Sequence, residues 1–396
     1  MAAGLLLAAG CSGGSDDAAP SESADAAPLS TCVDEVPTGD DAEAIAATVD
    51  QLAADAGLTS VLYRVTRDDD LIAAGAVGES ITSTPVDPAM RFRVGNVAFG
   101  YMGTLLLLMV EDGDAALDDP ISTWLPHLDV PNTNTVTLEM LVRNTSGYPD
   151  YVGNTDFEDA FNEDPFGTWT PEDLLDVAFE APVLYEPGTA WNYSHTNYVI
   201  LGAALEQIGG ADLATLLSER VIDPLGLAAT SPQLDSSLPA PVLQSYTSER
   251  DVFEDTTYWN PSWQTAPGGI VASNICDLVT SAAAIGSGEL LSEASYETFV
   301  DDQVVELGPP PASCGGCTQM TPERYYGLGV LVFNGWVAQA PLFAGTGGVN
   351  AYLPGEDISI AIQTVAGADT EVGVNHAMVI WNEIALQLTP DDLPLG

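Results

Sequence analysis

Strand-forming sequence lies at both ends of this chain and helix-forming sequence in between, and that order constrains the fold more than any other feature. Residues 61–66 and 71–77 flank the turn Asp68-Asp69-Asp70 and read as a hairpin. Strand patterns return only at 327–337 and 358–365. From about 96 to 300, apolar residues recur mainly at helical spacing, interrupted by long loops that Pro and Gly punctuate. A helix capped by Asp41 is expected before the hairpin, with Ile45, Val49, Leu52 and Ala53 on its buried face and its end before Gly57. A last amphipathic helix spans roughly 374–388. The apolar run 102–110 falls short of a membrane span and suits a buried core helix. Segments from both termini can pair only by building one sheet together. The expectation is therefore an α+β fold, an antiparallel sheet flanked by helices with a mainly helical region inserted. The pattern alone fits any α+β enzyme.

Composition narrows the surroundings. With 396 residues, 46% of them hydrophobic and a mean hydropathy of +0.13, the chain can bury a sizeable core. It holds 8 basic and 58 acidic residues, 8 − 58 = −50, and not one lysine. A field of that sign repels nucleic acid and anionic lipid surfaces, and it reads as a solvated surface suited to a salty environment. Residues 1–11, MAAGLLLAAGC, resemble a lipoprotein signal ending in a lipobox cysteine, Cys11, although a basic leading region is missing. Residues 12–41, rich in Ser, Ala, Gly, Pro and Asp, read as a disordered tether, 42–390 as one domain and 391–396 as a tail. This organisation implies export to the cell envelope, with lipid as the only membrane attachment. Cys32, Cys276, Cys314 and Cys317 then remain, an even number, and disulfides are expected in any of three connectivities. Cys314-Gly-Gly-Cys317 lacks the setting of a redox motif and reads as structural. Three scattered histidines, His127, His195 and His376, offer no metal site, and nothing points to a cofactor.

Local motifs choose the fold. Phe92-Arg93-Val94-Gly95-Asn96-Val97-Ala98-Phe99 precedes the apolar run, then Glu111-Asp112-Gly113 and Leu117-Asp118-Asp119-Pro120. Next come Asn144-Thr145-Ser146-Gly147-Tyr148-Pro149-Asp150-Tyr151 and Pro187-Gly188, followed by Tyr193-Ser194-His195-Thr196-Asn197-Tyr198 and Leu201-Gly202. Asp223-Pro224-Leu225-Gly226-Leu227, Pro267-Gly268-Gly269-Ile270, Tyr326-Gly327-Leu328-Gly329 and Ala344-Gly345-Thr346-Gly347-Gly348 complete the series. In order and spacing, over about 42–390, these segments resemble the serine β-lactamase and penicillin-binding-protein family, class C β-lactamases and their esterase and peptidase relatives above all. The resemblance implies the β-lactamase/transpeptidase-like fold.

It also implies positions at which this chain departs from the family's chemistry. The family's nucleophilic serine and the lysine one turn later correspond to Asn96 and Phe99. An amide is not a nucleophile, and a phenyl ring accepts no proton. Tyr193 keeps the place of the family's relay phenol, but its Asn partner is His195, and the Lys or His of the third motif is aligned with Gly345. Asn96, Phe99, Tyr193 and the Gly345-Thr346-Gly347 segment are expected to line one cleft. The main-chain N–H groups of Asn96 and Gly348 are the candidate oxyanion donors, because backbone survives side-chain loss. Three readings follow. The leading one is a monomeric, non-catalytic relative that binds a cell-wall peptide or a protein partner. The others are a serine hydrolase with relocated residues, with Ser146 or Ser194 beside His195 as candidates, and a purely structural envelope protein.

Overall fold

The computed structural model describes Cys32, residues 36–68 and residues 70–395. The lipobox at Cys11 and most of the expected tether lie outside the described residues. Nine strands form the main sheet. In chain order they are β1 (Ser60–Arg67), β2 (Asp70–Ile81), β3 (Thr84–Pro85), β4 (Arg324–Tyr326), β5 (Leu331–Phe333), β6 (Trp336–Gln339), β7 (Leu342–Phe343), β8 (Thr346–Leu353) and β9 (Ile358–Val365). They lie in the order β3-β2-β1-β9-β8-β6-β5-β4, with β7 paired to β8, and every pairing is antiparallel. The seam between the chain's two ends is β1 on β9, in register from Ser60 opposite Val365 to Arg67 opposite Ile358.

Both faces of that seam are covered, and its two strands are buried along most of their length. Val61, Tyr63, Val65, Ile358, Ile360 and Ile362 point to one face, where they pack with α1 (Asp40–Asp55) and the C-terminal helix, His376–Leu388. Leu62, Ala361 and Val365 point to the other, into the larger core of the helical region. This alternation is the two-residue period of a pleated strand. Helix α2 (Val97–Asp112) carries apolar residues all round and is buried from Val97 through Leu107, as a helix enclosed on every side must be. Beside it run α3 (His195–Gly209) and α4 (Ile275–Ser287), and α4 also packs on β8 and β9. The C-terminal helix is α5 hereafter. No single described helix is long and apolar enough to cross a membrane.

Several expectations are adjusted. Gly39, not Asp41, precedes α1, and Asp40, Asp41 and Glu43 occupy its first turn, where negative charge meets the positive end of the helix dipole. The pattern at 327–337 resolves into β5 and the first half of β6, and β8 was not anticipated. Its Thr346-Gly347-Gly348 start reads as a turn, and only pairing on both sides makes it a strand. The helical middle holds a small sheet of its own, made of Phe92–Arg93, Ile270–Ser273 and Ser231–Gln233. The segment after α5 returns to the body: Trp336 Nε1 donates to Asp392 O (2.7 Å) and Asn334 Nδ2 to Leu393 O (2.6 Å). Of the three possible cysteine pairings, the structure has Cys32–Cys276 and Cys314–Cys317.

Candidate functional site

The site is built around the start of α2. Gly95 takes a left-handed φ of +55°, and a Cβ there would press on Pro341 and Phe343 at 2.8 Å each. Glycine therefore brings the helix start against the segment 340–343 that follows β6. Asn96 sits at the N-cap without a side-chain cap bond, which leaves its amide free to face the cleft. Its Nδ2 donates to the Tyr193 hydroxyl at 3.2 Å, and its Oδ1 is buried without a partner. One turn on, Phe99 is 2% exposed and lies flat on Tyr198, with centroids 3.6 Å apart and planes 3° apart. The position aligned with a lysine is thus filled by a ring sealed into a stack. The Tyr193 ring is 6.1 Å from Phe99, and burial, with Tyr326 nearby, pushes its phenol well above its ordinary range. Tyr193 is therefore a neutral hydroxyl at physiological pH, with no cation beside it to make it a base.

Asn96, Phe99, Tyr193 and His195 share one cleft of about 250 Å³ with Val152, Trp263, Gln264 and residues 340–343. No arginine lines it. Gly345, Thr346 and Gly347 do not line it. Gly345, at φ +75°, packs against the Tyr246 carbonyl, so closely that no side chain fits, and its N–H reaches Glu249 Oε1 at 3.3 Å. Gly345 and Gly347 border a separate groove with Glu249 and His376, whereas Thr346 turns toward a third cavity near Arg93 and Trp259. The chain doubles back through β7 before reaching this glycine segment, and that hairpin brings 340–343 to the cleft instead. The Gly348 N–H, a candidate oxyanion donor, already donates to Pro341 O at 2.8 Å and is occupied by strand pairing. The Asn96 N–H has no hydrogen bond among the described residues.

The loop-borne serines are committed elsewhere. Ser146 Oγ donates to Asn197 Oδ1 (2.6 Å) and accepts from Tyr148 N–H (3.0 Å). Ser194 Oγ donates to Pro149 O (3.1 Å), and both serines are fully buried. Asn144, in the left-handed region at φ 61°, ties the two motifs together by accepting from Ser194 N–H and Asn197 Nδ2. These hydroxyls shape backbone and do not meet His195.

Sequence reasoning missed the partner of His195. Its Nδ1 lies 3.0 Å from Asp150 Oδ2 and 3.2 Å from Oδ1, while Asp150 Oδ1 also accepts the N–H of His195 and of Val152, each at 3.2 Å. The imidazole is ringed by Tyr193 (5.1 Å between centroids), Tyr151 (5.9 Å), Phe99 (6.0 Å) and Trp263 (6.2 Å). The carboxylate three residues after Gly147 and the histidine in the asparagine place were both visible in the sequence. Their separation of 45 residues hid the pair.

Comparison with known proteins places this geometry. The Beta-lactamase family model matches residues 45–381. A penicillin-binding protein of Bacillus subtilis is 25% identical over 154 residues, 38% of this chain and 33% of that protein. A D-aminopeptidase of Cereibacter sphaeroides is 28% identical over 185 residues, 46% of this chain and 34% of that protein. These alignments span about a third of the relatives' own length. Among solved structures, a D-stereospecific amidohydrolase from Streptomyces sp. superposes with a TM-score of 0.71 at 26% identity, covering 83% of this chain and 95% of that one. The D-amino acid amidase of Ochrobactrum anthropi has the same fold, with a TM-score of 0.74 at 20% identity, covering 89% of this chain and 99% of that one. With the family model spanning nearly the whole described body, and this fold beneath it, the chain belongs to the Beta-lactamase family.

Proposed function

We propose that this member of the family binds its ligand without forming an acyl-enzyme, and that its place is the outer side of the cell envelope, held by lipid at Cys11. The observation that carries the reading is Phe99, stacked on Tyr198 where the resemblance puts the family's lysine. Acyl transfer needs a nucleophile, a base for its proton and donors for the oxyanion. Asn96 supplies no nucleophile, Phe99 no base, and Tyr193 is held neutral by burial. In a comparable serine hydrolase, loss of the nucleophile or the base alone removes about 10⁶ of kcat, and loss of both removes little more. What survives is a shaped cleft, and a cell-wall peptide or a protein segment is the occupant proposed for it.

The test is covalent labelling. Incubation of the full chain with a fluorescent penicillin and with a fluorophosphonate should leave its intact mass unchanged, and a chromogenic cephalosporin should show no turnover. A mass increase matching acylation would overturn the reading. Binding is then read as thermal stabilisation by muropeptides, because a ligand at 100 times its Kd that binds only the folded chain adds about 2.7 kcal/mol. The absence of any shift would leave the cleft without the proposed occupant.

A further inference from the structure

We infer that His195 and Asp150 form a general-base dyad through which this cleft hydrolyses neutral esters by direct attack of water, with no acyl-enzyme. The inference goes beyond the binding reading and concerns a different chemical route. Two contacts of the imidazole Nδ1 to one carboxylate, at 3.0 and 3.2 Å, fix its tautomer: Asp150 accepts, so Nδ1 carries the hydrogen and Nε2 presents a lone pair. Asp150 is itself held by two backbone N–H groups, so the pair is set before any ligand arrives. Nε2 makes no hydrogen bond, is not sealed from solvent, and belongs to a side chain 18% exposed in the cleft wall. A base oriented by a third group and open toward a cavity is the arrangement that nucleophile activation requires.

What the base can activate follows by elimination. Ser146 and Ser194 spend their hydroxyls on Asn197 and Pro149, and the Tyr193 hydroxyl is engaged by Asn96. Water remains, and the cleft of about 250 Å³ has room for it beside a small acyl group. For the oxyanion, the structure offers the unpartnered Asn96 N–H at the start of the 16-residue helix α2. The walls of Phe99, Trp263, Ile270, Pro341 and Phe343 suit an aliphatic or aromatic acyl chain, and with neither lysine nor arginine present nothing fixed holds a carboxylate. A neutral ester with a good leaving alcohol fits those conditions.

In the step itself, the water oxygen bonds to the acyl carbon while its proton passes to His195 Nε2, and Asp150 stabilises the imidazolium. The tetrahedral adduct then collapses, the carbon–oxygen bond to the alcohol breaks, and the alcoholate takes the proton back from Nε2. Acid and alcohol leave, and the dyad is restored. The other titratable groups around the ring, the Tyr151 and Tyr193 phenols, are both pushed well above their ordinary range by burial, so Asp150 is the one charge facing the imidazole.

The experiment uses the full chain, 4-nitrophenyl butyrate and intact mass measured during turnover. Wild type should turn over at a rate that rises with pH to a plateau, with no acyl-enzyme mass. His195→Asn, which returns the family's own residue and should fold, should lose about 10² or more of kcat with little change in KM. Asp150 is a positioning residue, and Asp150→Asn should lower kcat with little change in KM, with Asp150→Glu restoring part of the rate. Equal rates for wild type and His195→Asn, a kcat indifferent to Asp150→Asn, or an acylated mass would each overturn the inference.

Discussion

Phe99 is the residue on which the proposed binding function turns. Its ring is buried, stacked on Tyr198 and bracketed by Tyr193 and His195. Replacing Asn96 by Ser alone places a hydroxyl in the cleft with no base one turn away, so Asn96→Ser should take no label from a fluorescent penicillin. The pair Asn96→Ser with Phe99→Lys restores both groups, and covalent labelling should appear in the double variant alone. That substitution has a structural cost. Removing a buried phenyl ring costs about 3–5 kcal/mol, and an ammonium in its place adds desolvation. The double variant should therefore unfold at markedly lower urea, which denaturation followed by tryptophan fluorescence would check. Labelling of Asn96→Ser alone would show that His195 can take the proton of a serine at this place without a lysine one turn away.

At the scale of elements, the position of α2 depends on backbone-to-backbone contact. Gly103 faces the Leu328 carbonyl so closely that a methyl group would overlap it, and Gly329, at φ +90°, lies equally close to the Phe99 carbonyl. The helix that presents Asn96 is thus seated on the turn between β4 and β5 through bare glycines. Gly113, at φ 80°, ends the same helix as a left-handed cap with open space around it. The two glycines should respond differently to alanine. Gly103→Ala forces α2 off the turn and should cost more than the roughly 1–3 kcal/mol of ordinary overpacking. Gly113→Ala adds only left-handed strain, about 1–2 kcal/mol. Chemical denaturation of both variants checks the order, and a Gly113→Ala penalty equal to that of Gly103→Ala would contradict the packing argument.

For the whole molecule, charge dominates. Eight arginines face 58 acidic residues, and the ion pairs of Arg143, Arg220 and Arg250 neutralise only a few of them. Like charges on the folded surface repel at low ionic strength, and salt shortens their reach from about 10 Å at 0.1 M to about 3 Å at 1 M. The melting temperature should therefore rise steadily as KCl is raised from about 0.05 M to about 2 M. A melting temperature indifferent to salt, followed by circular dichroism, would mean that the acidic groups are already well separated or paired. The Cys32–Cys276 disulfide works at this same scale, tying the segment before α1 to α4 across 244 residues of sequence.

Local pattern was enough for the periodicities of β1, β2, β9, α2 and α5, because burial on one face or both writes itself into spacing within a single element. The order of landmarks was enough for the family, and single positions were enough to show that no lysine or serine stands at the start of α2. Pairing across the chain was not legible. The Gly345–Gly347 segment was expected at the cleft from the resemblance, yet the β7 hairpin turns it away and puts residues 340–343 there, since apolar spacing does not record where a short strand folds back on its neighbour. Which neighbour a segment meets also went unrecorded for the strand that begins at Thr346, the Gly348 N–H on Pro341 and the cysteine pairings. Two residues 45 apart, Asp150 and His195, meet because Asn144, Ser146, Ser194 and Asn197 lock two loops together. The sequence by itself determined which side chains stand at each landmark. The tertiary structure decided which of them face one another, because that depends on contacts that no local pattern records.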